Sequence, residues 1–256
     1  MDWIYLSPHP DDVALSCGGL LWEQAVAGDR PQVWTICAGD PPPGPLSPFA
    51  TALQNRWETG AAASQQRRQE DIASCSFLQA GYRHFPVPDC IYRRDVGESI
   101  HLYTSEESLF GPLDKREMGL VERLKKDLAE TLPDGAQLVC PLGVGGHVDH
   151  RLTRLSAESL GGACWYFAEY PYILDHDNQL AQFIPPNWEE TWFPISPAGM
   201  EAWEAAVAAH RSQISTFWPN LETMRAALRA YVLHTGGELG VRLWRSGEIR
   251  ATKLAF

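Results

Sequence analysis

No stretch of this chain approaches 18 consecutive apolar residues, so no membrane-spanning helix is expected. No basic run of five occurs, and 21 Lys+Arg stand against 32 Asp+Glu, a net charge of −11. That balance fits a soluble protein and argues against an electrostatically held nucleic-acid partner. No charged n-region or cleavage pattern precedes the first apolar run, so secretion is not expected. The six cysteines, at 17, 37, 75, 90, 140 and 164, form no Cys-x-x-Cys pair, which removes zinc-ribbon and thioredoxin readings. Their apolar settings, as in Trp34-Thr35-Ile36-Cys37, predict reduced, buried thiols and a cytoplasmic location. The Gly-x-Ser-x-Gly, Walker A and His-Glu-x-x-His patterns are absent, so a serine-hydrolase elbow, a P-loop and a zincin helix are unsupported. Repeats, low-complexity tracts and linkers are missing too. The 256 residues therefore read as one domain, with a core over about residues 1–170 and a C-terminal helical and strand extension over about 171–256. No assembly motif is legible, and the oligomeric state stays open.

What is present is an α/β pattern: strands alternating with helices, as in an open, mainly parallel sheet. Trp3-Ile4-Tyr5-Leu6 reads as a buried strand, Ser7-Pro8-His9-Pro10-Asp11-Asp12 as a stiff turn, and the apolar run from Val13 to Trp22 as a helix. Further strands are expected at 32–37, 83–88, 137–142, 163–167 and 241–244. Helices are expected over 50–81 with a break near Gly60, from a cap at Asp114 to 132, from about 147 to 160, and over 199–218 and 221–234. Two stretches have no regular pattern: the Pro-rich loop 38–48 and the excursion 89–111.

The polar clusters of this pattern fall where strands hand over to helices, at 9–12 and 147–150. Ligands of open α/β sheets bind at those carboxyl ends, and two such turns can face one another across a crevice. His9, Asp12 and His150 make a two-histidine, one-carboxylate set with an open position, as catalytic zinc sites have. Iron(II) or another divalent ion is an alternative. Asp11 and His147 then remain beside the open position. Asp11 suits a general base toward a metal-acidified water. His147 suits an oxyanion donor or the acid for a leaving amine, with Asp149 orienting or charging it.

Pro8-His9-Pro10-Asp11-Asp12 with His147-Val148-Asp149-His150 resembles the signature of the PIG-L/LmbE-like family of zinc-dependent N-acetyl-sugar deacetylases. The resemblance implies an α/β, Rossmann-like fold, a mainly parallel sheet flanked by helices on both faces, and hydrolysis of an acetamide on a small glycoside, with the same ligands, base and oxyanion residue. It also implies that an arginine of Arg67-Arg68-Gln69-Glu70 meets substrate, Arg67 fitting the position best and Arg68 being its close rival. Glu169-Tyr170-Pro171-Tyr172 and His210-Arg211-Ser212-Gln213 look like family segments as well. Val13 departs from the family's usual Glu, and Gly145 stands where some members carry a Tyr. The expected partner is thus a small N-acetylated glycoside. A different small amide, or a non-catalytic metal- or sugar-binding role, is the alternative.

Overall fold

The computed structural model describes residues 1–56, 62–95, 100–176, 180–234 and 238–246. One seven-stranded sheet runs through it in the order β3-β2-β1-β4-β5-β7-β6. The strands are β1 (Asp2–Ser7), β2 (Arg30–Thr35), β3 (Gly81–His84), β4 (Gln137–Pro141), β5 (Trp165–Phe167), β6 (Glu189–Pro194) and β7 (Gly240–Arg245). The first five are mutually parallel, while β7 is antiparallel to both β5 and β6. Among the described residues the helices are α1 (Asp12–Val26), α2 (Pro48–Arg56), α3 (Ala63–Phe77), α4 (Glu106–Leu109), α5 (Met118–Thr131) and α6 (Val148–Glu158). They continue with α7 (Tyr172–His176), α8 (Leu180–Phe183), α9 (Pro197–Ala209), α10 (Arg211–Phe217) and α11 (Leu221–His234).

β1 lies inside the sheet, between β2 and β4, because its sequence offers little to water. Ile4, Tyr5 and Leu6 are fully buried, each worth roughly 1.5–3 kcal/mol of burial, and the Tyr5 hydroxyl donates to Gln24 Oε1 at 2.9 Å. From β1 the chain winds outward through α1 to β2. From its neighbour β4 it winds the opposite way through α6 to β5. Right-handed crossovers in opposite directions place these helices on opposite faces and open a crevice between the ends of β1 and β4.

The C-terminal stretch closes against α1. Trp203 of α9 lies on Gly18 and Gly19, where an added Cβ would come within 2.4 and 2.6 Å of its ring, and its indole N–H donates to Ala14 O. The helix that carries Asp12 is thereby packed on both sides.

Several elements depart from expectation. The strand expected at 83–88 starts earlier, at Gly81, and ends at His84, because Pro86 and Pro88 have no N–H for a ladder. They contribute isolated bridges to Cys37 and Gly39 instead. Asp114 caps a 3-10 turn, Lys115–Glu117, that feeds into α5. The expected helix over 199–218 kinks at His210 into α9 and α10. The break expected near Gly60 lies outside the described residues. β6 was not foreseen: Glu189-Glu190 and Pro194 are poor strand signals, tolerated on an edge. No described helix is long and apolar enough to cross a membrane.

Candidate metal centre

The turn after β1 is built by its own polar atoms. The Ser7 hydroxyl donates to His9 O at 2.6 Å and accepts from Val13 N–H at 3.2 Å. The Asp12 carboxylate accepts from His9 N–H at 2.8 Å. Between them Asp11 is held at φ 136°, ψ −34°, a region that a side chain with a Cβ rarely enters. Strain of this sort, about 1–3 kcal/mol, persists only where the surroundings impose it.

Three donor atoms converge beside it. His9 Nδ1 is 3.2 Å and His150 Nε2 is 3.4 Å from the same Asp12 Oδ2. Those separations match the edge, about 3.4 Å, of a tetrahedron with zinc–ligand bonds of about 2.0–2.1 Å. His150 Nε2 is buried without a hydrogen-bond partner, an orphan that a cation would satisfy. The opposite nitrogens of both rings are braced by carboxylates. His9 Nε2 lies 2.9 Å from Asp149 Oδ2, and His150 Nδ1 lies 3.1 Å from Glu169 Oε1. That carboxylate–histidine arrangement fixes ring tautomer and aim at metal sites. His147, His9 and His150 also offer a set of nitrogens within 4.8 Å of one another, so His147 borders the same point.

The electrostatics follow from burial and pairing. Burial alone would lower the pKa of His9, but its bonds to Asp12 and Asp149 carry it well above the ordinary value. Burial is likewise outweighed at His150 by Asp12 and Glu169, which carry it up to about 9. Asp12 itself is held well below the carboxylate range, His150 and then His9 overcoming its burial. Asp11 goes the other way: burial raises it to about 7, the Arg67 guanidinium opposing and Asp12 adding. His147 is held well below the ordinary histidine value, by burial first and then by His9.

Both acidic clusters open on one cavity of about 270 Å³. Its lining joins His9, Asp11, Asp12, Arg67, Asp89, His147 and Tyr172 to apolar side chains, Phe49, Leu53, Ile91, Leu109, Phe110 and Phe217, and to the polar Arg56, Glu106, Gln213 and Thr216. The loop 38–48 does not supply this lining; Phe49 and Leu53 on the following α2 do. The 89–111 excursion does contribute, through Asp89, Ile91, Leu109 and Phe110.

Two expectations need correction. Asp149 does not orient His147 with its carboxylate, which is spent on His9, Cys90 N–H and Arg93. Only its backbone N–H meets His147, at Nδ1, 3.2 Å away. Arg68 does not reach the cavity: it bonds Ala38 O at 2.7 Å and pairs with Asp40 at 2.9 Å. Arg67 is the arginine turned inward, 3.6 Å from Asp11 and 3.5 Å from Asp89.

Four residues near the centre were given no role from the sequence: Glu169, Asp89, Arg93 and Glu117. Glu169 accepts from Gly143 and Val144 N–H as well as facing His150. Arg93 joins Asp149 to Glu117, which also accepts from the Tyr103 hydroxyl. Val13, in place of a family Glu, is fully buried in the core; Asp149 and Glu169 are the carboxylates behind the histidines. The sequence signals for Glu169 were its family-like segment and its place just after β5, at another carboxyl end in the crevice.

The profile of the PIG-L family, described as GlcNAc-PI de-N-acetylase, matches residues 4–160. A 2'-N-acetylparomamine deacetylase of Niallia circulans is 29% identical over 216 residues, covering 73% of this chain and 72% of that enzyme. The enzyme of the same name from Streptomyces fradiae is 31% identical over 183 residues, covering 68% of this chain and 58% of its own. A teicoplanin deacetylase solved in a zinc-inhibited form shares the fold, with TM-score 0.79 and 23% identity over 98% of this chain and 100% of that one.

Proposed function

This chain belongs to the PIG-L family and is a metal-dependent N-deacetylase, and from that premise we propose that it removes an acetyl group from an N-acetylated amino sugar or its glycoconjugate. His9, Asp12 and His150 would hold the zinc ion, with Asp11 as the base and His147 facing the oxyanion. The observation that carries this reading is the convergence of His9 Nδ1 and His150 Nε2 on Asp12 Oδ2, beside Asp11, at the floor of one cavity.

Zinc bound there would acidify a water and polarise the acetyl carbonyl. The rest follows from the chain's own groups. Asp11 takes the proton of the attacking water and hands it to the departing nitrogen, its carboxylate kept in place by Arg67 and by the strained turn. Because His147 Nδ1 accepts from Asp149 N–H, the proton of its neutral ring is on Nε2. His147 is therefore a hydrogen-bond donor toward the charge that grows on the carbonyl oxygen, rather than the acid for the amine. The products are acetate and a free amine.

The six apolar side chains in the lining, among them Phe49, Phe110 and Phe217, favour a second reading, in which the same site cleaves the amide of a less polar, non-sugar substrate. A net charge of −11 supports a small-molecule partner over nucleic acid, and six free, buried cysteines support a reducing, cytoplasmic setting. Acetate release from 2'-N-acetylparomamine, simple N-acetylglucosaminides and non-sugar acetamides tests both readings. Release from the sugars that vanishes in Asp11→Asn supports the first. Undiminished release by Asp11→Asn would sink the assigned base, and release from non-sugar amides alone would sink the sugar.

A further inference from the structure

Of the polar groups on the cavity wall that have no work in the scheme above, Tyr172 is the one in contact with the ring of a metal-ligand candidate, His150. Tyr172 opens α7, three residues after Glu169, and the bond from Ile173 N–H to Glu169 O, 2.9 Å, ties its turn to the residue that braces His150. Its ring lies against Gly145, which has φ +79°; a Cβ there would be 3.0 Å from Tyr172 Cδ1 and 3.2 Å from its Cβ. The His150 ring meets it edge-on at 5.7 Å, and Phe110 stands across from it at 6.2 Å. The ring is thus clamped from three directions. Its hydroxyl makes no hydrogen bond to any described residue, although it lies within electrostatic reach of the Asp12 and Asp11 carboxylates. A half-buried tyrosine ordinarily finds a partner for its O–H. Here the available partner is whatever occupies the cavity.

We propose that Tyr172 is a catalytic residue: its hydroxyl donates a hydrogen bond to the carbonyl oxygen of the scissile amide as that oxygen gains charge, in a gap that Gly145 leaves open for its ring. As the water oxygen bonds to the acetyl carbon, the carbonyl π pair moves onto oxygen, which accepts from Tyr172 and His147. When the C=O re-forms, the C–N bond breaks, the electron pair leaves with nitrogen, and nitrogen takes the proton held by Asp11. The Tyr172 O–H stays intact throughout. Gly145 suits that place on two counts: at φ +79° a side chain would be strained, and a Cβ 3.0–3.2 Å from the ring would make it give by a few tenths of an ångström.

The inference rests on the deacetylase reading, so its test carries a binding arm as well as a rate. Zinc-loaded Tyr172→Phe keeps the ring and removes only the hydroxyl. The expected result is a kcat lower by about 10²-fold, the scale of one lost oxyanion donor, with KM within about twofold and zinc content and Tm unchanged. A methylphosphonamidate of glucosamine, tetrahedral where the acetamide is planar, should bind Tyr172→Phe about 10²-fold more weakly by calorimetry, and glucosamine about equally. Gly145→Ala should lower kcat in the wild type but do little further in Tyr172→Phe. An unchanged kcat and unchanged phosphonamidate affinity in Tyr172→Phe would overturn the proposal. So would a loss in KM alone, which would make Tyr172 a substrate wall. If the wild type releases no acetate and binds no phosphonamidate, the deacetylase reading itself fails, and this inference falls with it.

Discussion

His9 and His150 each turn one ring nitrogen toward Asp12 and the other toward a buried carboxylate, yet the two carboxylates are held in unlike ways. Glu169, behind His150, is fixed by the backbone N–H groups of Gly143 and Val144. Those groups belong to the turn that leaves β4, so the brace comes with the fold. Asp149, behind His9, is fixed by Cys90 N–H and by the Arg93 guanidinium, which is shared with Glu117. Arg93 and Cys90 belong to the irregular excursion, and Glu117 to the turn before α5. One histidine is therefore aimed by the sheet, and the other by a buried charge network that also docks a segment lining the cavity. The aim of His9 and the shape of the cavity share one anchor.

The largest effect should come from cutting that anchor. Arg93→Met leaves Asp149 and Glu117 as buried carboxylates with no cation between them. Breaking a buried pair on one side costs about 3–5 kcal/mol, which in a chain of this length lowers Tm by on the order of 10 °C. A calorimetric scan showing no change would mean that the network is solvated and does not hold Asp149.

Zinc affinity separates the two braces more finely. Asp149→Asn and Glu169→Gln should each weaken zinc binding about 10–100-fold in a competitive chelator titration. Combined with Arg93→Met, however, they should behave differently. Asp149→Asn shares a network with Arg93, so the losses should overlap, whereas those of Glu169→Gln should add. Additivity in both double variants would erase the distinction drawn between the braces. Chelator removal of zinc from the wild type should abolish acetate release and leave most of the fold standing, since sheet and core are built from apolar residues.

This contrast also explains what could be read from the sequence. The turns at 9–12 and 147–150 were legible because each follows an unbroken apolar strand, and because imidazoles and carboxylates so close together have few structural uses. Their meeting in one crevice followed from parallel winding alone. Asp149 was visible but its direction was not: a carboxylate two residues from His147 reads as that residue's partner, while the helical turn aims it at His9, 140 positions away. Arg93 and Glu117 carried no signal at all. Nothing local distinguishes an arginine in an irregular stretch that will be buried from one that will stay in water. Arg67 and Arg68 show the same limit, since adjacent helix positions differ by about 100° and only packing decides which points inward.

Backbone strain gives a smaller and more local test on the His9 side. At φ 136°, Asp11 occupies a conformation that glycine adopts without penalty. Asp11→Gly and Asp11→Ala should both lose activity, but the glycine variant should be the more stable by about 1 kcal/mol. Equal denaturation midpoints would show that the turn relaxes once the carboxylate is gone, and that Arg67 and not the helix start imposes the strain.

The smallest effect should come from Arg68, and it sharpens the comparison because its chemistry resembles that of Arg93. Each guanidinium bonds a main-chain carbonyl and a carboxylate to pin an irregular segment, Arg93 through Pro88 O and Asp149, Arg68 through Ala38 O and Asp40. What differs is the solvent. Arg93 is 5% exposed against a fully buried Asp149, whereas Arg68 is 23% exposed against an Asp40 that is 71% exposed. Water already solvates the second pair, and salt screens it, so it contributes about 0–1 kcal/mol. Arg68→Ala should therefore lower stability by less than about 1 kcal/mol and leave kcat/KM within about twofold. A large activity loss there would mean that the Pro-rich loop it holds is part of the substrate site, and that burial is a poor guide to which arginine anchors matter in this fold.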